Sequence, residues 1–333
     1  MDRRRVIMVL AWASSVTSLP PALGQSPTKV WRVGFLGLRW RPTSANPDLY
    51  YGAFVTRMRE LGYVEGKNLV IEGRYADGKY ERLPELAAEL VRAKVDVIVT
   101  HGTPGPKAAL SATNTIPIVG LAAIDPVGSG FAASLSRPGR NFTGLSLISL
   151  DVTQKQLDLL KILRSKLSRV ALLLNSANPA HPRMLKSVKA TASAKGIEIV
   201  SVEASTPEQI DRAFLTIAAE RSDALVVAAD SFFSSILRFR QIAELSSKHG
   251  LPSIAPWREY ATAGGLMSYG QNLPEYYRRG AEYVDKILKG AKPADLPIEQ
   301  PTSIHFAINR KAAKALGVTI PQDLLLRADE VIE

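Results

Sequence analysis

The chain has 333 residues, no cysteine and a formal net charge of +11 at pH 7. Without cysteine, the chain has no disulfides, no thiolate metal site, no cysteine nucleophile and no lipid attachment through an N-terminal cysteine. The lysines and arginines are spread along the sequence rather than gathered into a basic stripe with aromatic residues. We therefore interpret the charge as a solvated surface and expect no nucleic-acid partner. A bias towards anionic ligands or an anionic membrane surface is the weaker alternative.

The N-terminus has the pattern of a secretory signal peptide. Residues 3–5 are arginines, residues 6–16 are mostly apolar, and residues 22–24 are small enough for signal peptidase. The apolar run is too short to span a bilayer, and no later segment is long and apolar enough. We expect residues 1–24 to be a signal peptide and the mature chain to be periplasmic, without a lipid anchor or stable membrane insertion. A cytosolic chain with an apolar N-terminus is the alternative.

Short β-branched runs alternate with amphipathic helical segments along the rest of the chain. The first predicted strands are residues 30–36, 69–74, 95–100 and 116–121, and a second set lies at 169–174, 197–202, 224–228 and 251–255. Predicted helices lie between them at 48–61, 82–91, 154–163, 182–195, 207–221 and 235–248. Nearly continuous apolar strands separated by helices indicate parallel sheets covered on both faces.

The repeated pattern predicts an α/β protein with two Rossmann-like lobes, because a chain of this length exceeds one ordinary hydrophobic core. Residues 143–150 join the two sets as an extended hinge. The tail contains a predicted strand, a helix and another strand at 266–269, 274–289 and 304–308. We expect it to cross back to the first lobe and return, which makes a multi-crossover hinge. The predicted lobes are 30–145 with 266–295, and 150–262 with 300–333.

Polar turns follow several predicted strands, at the sheet edge where α/β proteins bind ligands. Gly102 lets a ligand approach the backbone closely, and Thr103 offers a hydroxyl and an N–H group to an anion. Asp125 follows the fourth strand and is a natural counter-charge for a ligand amine. Most of these turns also start a helix with a cap and a proline, so helix capping is the alternative role.

Aromatic residues occupy similar positions, which favours an apolar pocket with a few polar anchors. Trp257 is the candidate for stacking on a ligand ring, and burial in the core is the alternative for each aromatic residue. The candidate ligand-binding residues are Gly37, Trp40, Gly102, Thr103, Asp125, Asn175, Asp230, Phe232, Trp257 and Tyr269.

The sequence lacks the motifs of common enzyme classes. It has no nucleophile elbow, P-loop or dinucleotide fingerprint, and its four histidines lack metal-site spacing. We expect no catalytic residue, no metal and no cofactor. An extracytoplasmic α/β enzyme using His101 with Asp125 is a remote alternative.

Several phrases resemble the ABC transporter substrate-binding family, which includes tryptophan- and tyrosine-binding members. They are LGYVEGKNL at 61–69, LPELAAELV at 83–91, SRPGRNFTG at 136–144, PWRE at 256–259, GGLMSYG at 264–270 and LKGAKPADLP at 288–297. The resemblance covers residues 30–333 and implies a type I periplasmic-binding fold, with three crossovers and a ligand trapped between the lobes. It also implies an ABC permease and an ATPase as partners of a monomeric binding protein.

The resemblance carries binding roles to Gly102, Thr103, Asp125, Asp230 and Phe232. The loop after the first strand departs from the family, because LRWR at 38–41 replaces small, serine-rich residues. Arginines and an indole there favour an aromatic or acidic ligand. The expected ligand is an amino acid, aromatic in particular, or a small carboxylate. A sensor subunit that presents ligand to a membrane receptor is the alternative function.

Overall fold

The computed structural model describes residues 29–44 and 47–333, so the predicted signal peptide at 1–24 lies outside the described residues. The strands are β1 (Trp31–Gly37), β2 (Leu69–Tyr75), β3 (Val97–His101), β4 (Ile118–Ile124), β5 (Phe142–Leu147), β6 (Arg169–Leu174), β7 (Glu198–Glu203), β8 (Ala224–Val227), β9 (Ser253–Ala255), β10 (Met267–Gln271), β11 (Ile304–Asn309) and β12 (Glu330–Ile332). The α-helices are α1 (Leu49–Glu60), α2 (Leu83–Arg92), α3 (Pro104–Ala112), α4 (Ser149–Leu163), α5 (His181–Ala194), α6 (Pro207–Ala219), α7 (Ile236–Lys248), α8 (Arg258–Thr262), α9 (Leu273–Leu288), α10 (Arg310–Ala315) and α11 (Gln322–Arg327).

The first lobe is built on a parallel sheet in the order β2-β1-β3-β4-β5. Alternate residues of each strand enter two different cores, as Val97 and Val99 pack on one face and Ile98 on the other. Helices α1 and α9 cover the first face, and α2 and α3 cover the second. This double cover explains why β3 and β4 are buried along their whole length.

The second lobe is built on a seven-stranded sheet in the order β12-β11-β10-β9-β8-β6-β7. Strand β11 runs antiparallel to β10, and the pairs from β10 through β7 are parallel. Together with the first sheet, this architecture confirms the predicted fold of two parallel-sheet α/β lobes.

The strand predicted at 266–269 joins the second sheet, so its assignment to the first lobe was wrong. As β10 it pairs with β9 and β11, because the backbone groups of this buried strand find their hydrogen-bond partners there. The following helix, α9, does return to the first lobe, where it packs on α1, β3, β4 and β5. Its buried residues include Tyr276, Tyr277 and Tyr283.

The chain passes between the lobes after β5, after β10 and again before β11. The predicted extended hinge forms most of β5, which is the edge strand of the first sheet. The segment before β11 lies beside β5 at Glu299. The Glu299 carbonyl accepts a hydrogen bond from Ser146 N at 2.8 Å, and the Glu299 N–H donates to the Gly144 carbonyl at 3.0 Å. The connection before β11 therefore lies beside the one that follows β5, at the edge of the first sheet.

Candidate ligand-binding site

The candidate site lies between the carboxyl ends of the two sheets, where loops of the two lobes meet. The first lobe contributes the loops after β1, β3 and β4, and the second contributes those after β6, β8 and β9. Direct hydrogen bonds join side chains of the first lobe to the loop after β8. The cleft is therefore closed in this structure.

Asp230 is the centre of a buried polar network that includes one residue from the first lobe. Tyr80 Oη donates to Asp230 Oδ1 at 2.8 Å and accepts from Phe232 N at 2.9 Å. Asn175 Nδ2 donates to Oδ1 at 2.9 Å and Asn178 Nδ2 to Oδ2 at 2.7 Å. Burial and the Asp230 charge raise the pKa of Tyr80 well above its ordinary value. Asp230 thus holds the closed lobes together and has its oxygens already occupied.

His101 forms a second contact between the lobes. Leu38 N donates to its Nε2 at 3.0 Å, which assigns the proton to Nδ1, and Nδ1 then donates to Ser231 Oγ at 3.1 Å. Burial and the charge of Arg39 lower the pKa of His101 well below its usual value, so the ring is neutral. Next to it Gly102 has φ of +65°, and a Cβ there would lie 2.7 Å from Ser231 Oγ. Glycine permits this close approach of the lobes.

Arg39 extends from the loop after β1 into the space between the lobes. Its Nε donates to Asp48 Oδ2 at 2.8 Å, its Nη2 donates to Tyr277 Oη at 3.0 Å, and the Tyr50 ring lies 4.7 Å from its Cζ. Burial alone would lower the pKa of Arg39, but interactions with Tyr277 and Asp48 hold it above the ordinary value. The guanidinium is therefore charged, and its Nη1 makes only a long contact of 3.4 Å with Ser234 Oγ.

Asp125 lies at the opposite end of the cleft from Arg39 and its cavities, on the rim. Its Oδ2 accepts from Arg183 Nη1 of the second lobe at 2.5 Å, and its Oδ1 accepts from Gly128 N at 2.8 Å. The Asp125 side chain is 48% exposed and the Arg183 side chain 57%. An ion pair this exposed contributes little to stability.

Four cavities lie around these contacts, and the largest of the four, about 340 Å³, lies beside Asp125 and Arg183. The central cavity has about 20 Å³ and is lined by His101, Gly102, Thr103, Asp230 and Trp257, among others. A cavity of this size has room for a water molecule but not for an amino acid. The outer cavity has about 210 Å³, and its wall includes Arg39, Trp40, Leu49, Ile236, Leu237 and Glu259. A neighbouring cavity of about 270 Å³ lies on the other side of Trp40, beside Phe232.

The structure places most of the predicted site residues in the cleft. Gly102, Thr103, Asp230 and Trp257 line the central cavity, and Asn175 holds Asp230. Trp40 and Phe232 line the cavities at the mouth, and Asp125 lies on the far rim.

Gly37 and Tyr269 lie away from these four cavities. A Cβ on Gly37 would lie 2.5 Å from the Tyr75 ring, which covers it inside the first lobe. The Tyr269 ring packs edge-on against Phe306 in the second lobe, with ring centroids 6.0 Å apart. These positions point to structural roles for both residues.

Several side chains that build the cleft were not among the candidate ligand-binding residues: Arg39, Tyr80, Ser231, Ser234, Glu259 and Tyr277. The unusual loop at 38–41 was the available signal for Arg39. Tyr80 had none, because it lies on a short 3₁₀ turn rather than directly after a strand.

Within residues 29–44 and 47–333, no cluster of three histidine, aspartate or glutamate side chains could hold a metal ion. No helix in the same residues is both long and apolar enough to cross a membrane.

Comparisons with known proteins identify relatives over most of the chain. The sequence pattern of the family described as ABC transporter substrate binding protein matches residues 46–332. A "Tyrosine-binding protein" of Clostridioides difficile is 26% identical over 266 residues, which cover 80% of this chain and 75% of the relative.

Solved structures agree with these matches. A conserved domain protein from Vibrio cholerae is 27% identical and superposes with a TM-score of 0.83 over 91% of this chain and 100% of the other. An ABC domain from Streptococcus pneumoniae in complex with L-Trp is 25% identical, with a TM-score of 0.82 and the same coverage. The ligand-free, open structure of a substrate-binding protein with adhesive properties from Clostridium difficile is 25% identical, with a TM-score of 0.62 over 91% of this chain and 99% of that one.

Proposed function

Because this chain belongs to the family of ABC transporter substrate-binding proteins, we propose that it captures a small molecule outside the cytoplasm and delivers it to an ABC importer. Residues 1–24 act as its signal peptide, and the mature protein works in the periplasm without a lipid anchor. A permease and an ATPase on other chains complete the importer. The named relatives are substrate-binding proteins rather than enzymes, which supports binding without catalysis.

The closed cleft is the observation that carries this proposal. Side chains of the first lobe reach hydrogen-bond partners on the second, through Tyr80 with Asp230 and His101 with Ser231. The chain also superposes better on the L-Trp complex, with a TM-score of 0.82, than on the ligand-free, open relative, with 0.62. In this function the open protein admits the ligand, and closure forms these contacts around it.

The ligand we propose is an amino acid, with aromatic ones first, followed by small aromatic or aliphatic carboxylates. A relative named as tyrosine-binding and a relative solved with L-Trp support this order. Micromolar affinity corresponds to about −8 kcal/mol, within reach of a few charge-assisted hydrogen bonds and apolar contacts.

A thermal-shift screen of the purified protein against amino acids, aromatic acids and aliphatic acids tests the ligand, with calorimetry on each stabilising compound. A ligand of the native state raises the melting temperature by mass action. One-to-one binding of an unchanged compound is the expected result, and steady consumption of the compound would contradict it. Uptake of that compound should fall in cells that lack the gene. Binding with unimpaired uptake would favour the sensor function.

A further inference from the structure

The outer cavity has an apolar wall built by both lobes. Trp40 and Leu49 come from the first lobe, and Ile236 and Leu237 from the second. These four side chains are between 43% and 60% exposed, although they are large and apolar. Gathering exposed apolar side chains around one concave surface is typical of a binding site.

Two charged groups face each other across the same cavity, one from each lobe. Arg39 presents Nη1, whose contact with Ser234 Oγ is long at 3.4 Å. Glu259 forms no ion pair with any residue that the structure describes, and burial raises the pKa of its carboxyl group. The cavity thus contains a guanidinium and a carboxyl group whose contacts on the facing lobe are with neutral hydroxyl groups, Ser234 for Arg39 and Tyr50 for Glu259.

Three other carboxylates of the cleft are already engaged. Asp48 accepts from Arg39 and from the backbone N–H groups of Tyr50 and Tyr51 at 2.9 and 3.0 Å. Asp230 is surrounded by donors, and Asp125 is paired with Arg183 on the far rim. Of the two carboxylates that line the outer cavity, Asp48 and Glu259, Glu259 is therefore the one better placed to receive a ligand ammonium group.

We propose that the outer cavity is the main ligand site and that it takes an α-amino acid with an apolar side chain. The ligand carboxylate binds Arg39 Nη1, its ammonium group binds Glu259, and its side chain packs on Trp40, Leu49, Ile236 and Leu237. This inference rests on the proposed binding function. It moves the charged ends of the ligand away from Asp125, where the sequence had placed the amine. Because Arg39 and Glu259 belong to different lobes, a zwitterion between them stabilises closure.

The test uses the full-length mature protein and calorimetry with L-tryptophan, L-tyrosine, L-phenylalanine and L-leucine. The amino acid that binds most tightly is compared with two analogues, the acid lacking the ammonium group and the amine lacking the carboxylate. Each analogue should bind at least about tenfold more weakly, because it leaves one buried charge without a partner. The Glu259→Gln variant should bind the amino acid and the acid analogue with nearly equal affinity, because it no longer recognises the ammonium group. It should still bind the amino acid more tightly than the amine analogue. The Arg39→Gln variant should bind the amino acid and the amine analogue with nearly equal affinity and still prefer the amino acid over the acid analogue.

Arg41→Gln and Glu208→Gln are the matched controls, since they remove the same charges near the mouth but line no part of the outer cavity. Both preferences should stay within about twofold of the parent in these variants. If Arg39→Gln does not fold, Glu259→Gln still tests the ammonium contact alone. Loss of the preference in Asp125→Asn instead of Glu259→Gln would overturn the site while leaving the proposed function standing. A parent protein that binds a small carboxylate but no amino acid would overturn this inference alone, and one that binds no small molecule would overturn both.

Discussion

Gly102→Ala should hold the cleft partly open. The substituted residue keeps a φ of +65°, where an alanine costs about 1–2 kcal/mol. Its Cβ would lie 2.7 Å from Ser231 Oγ, whereas ordinary contact begins at 3.4 Å, so the lobes must separate by several tenths of an ångström. We expect closure to lose about 1–3 kcal/mol, the usual range for overpacking, and ligand affinity to fall about 5- to 150-fold.

Calorimetry with a ligand from the screen measures the loss, and small-angle scattering measures the opening. Gly250→Ala is the matched control, because its φ is +60° but a Cβ there has open space. Ser231→Ala alone should weaken binding, since His101 Nδ1 loses its acceptor, yet the same change should recover affinity in the Gly102→Ala background. Losses that simply add in the double variant would refute the reasoning, because they would show that the two side chains do not collide.

Further substitutions test other contacts. Tyr80→Phe leaves Asp230 without its donor from the first lobe and should weaken ligand binding about 10-fold by calorimetry; unchanged affinity would contradict a role in closure. The pKa of His101 is lowered in the folded protein, so below about pH 6.5 this imidazole is protonated in the unfolded chain but stays neutral in the folded one. Stability should therefore fall as pH drops below about 6.5, by up to about 1.4 kcal/mol per pH unit, and His101→Gln should flatten this slope in urea titrations. Asp125→Asn should change the free energy of unfolding by less than about 1 kcal/mol, and a larger loss would show that the rim ion pair is stronger than its exposure implies. Gly144→Ala should cost more than about 3 kcal/mol in thermal unfolding, because its Cβ would meet the Gly120 carbonyl at 2.0 Å, whereas Gly62→Ala, with a φ of +92° and open space, should cost only about 1–2 kcal/mol.

The fold could be predicted from the sequence where local pattern determines structure. Buried β-branched runs and amphipathic helices repeat at regular spacing, and that repetition indicated two lobes with parallel sheets. Local sequence pattern could not predict which of the two sheets β10 would join. Its partners β9 and β11 are selected by pairing across the finished sheet, and β11 begins more than thirty residues later in the chain.

The candidate site was predictable in its location but not in its chemistry. Polar turns after the strands do converge, because the carboxyl ends of parallel strands share one edge. The roles of Asp230 and Arg39 depend on residues far away in sequence, since Tyr80 reaches Asp230 and Tyr277 reaches Arg39. No spacing rule connects such pairs, so the sequence indicated Asp230 as a binding residue but gave no sign that its oxygens already accept several hydrogen bonds.

Helix α9 makes the first lobe discontinuous in the chain. Its tyrosines fill the core beneath β3 and β4, but they follow the whole central part of the second lobe in sequence. A ribosome or a secretion channel releases residues 29–147 long before α9 emerges. Until then α1 alone covers its face of the first sheet and the part beneath β3 and β4 stays open, so this lobe cannot complete its folding ahead of the second. The two lobes should therefore complete their folding late and together.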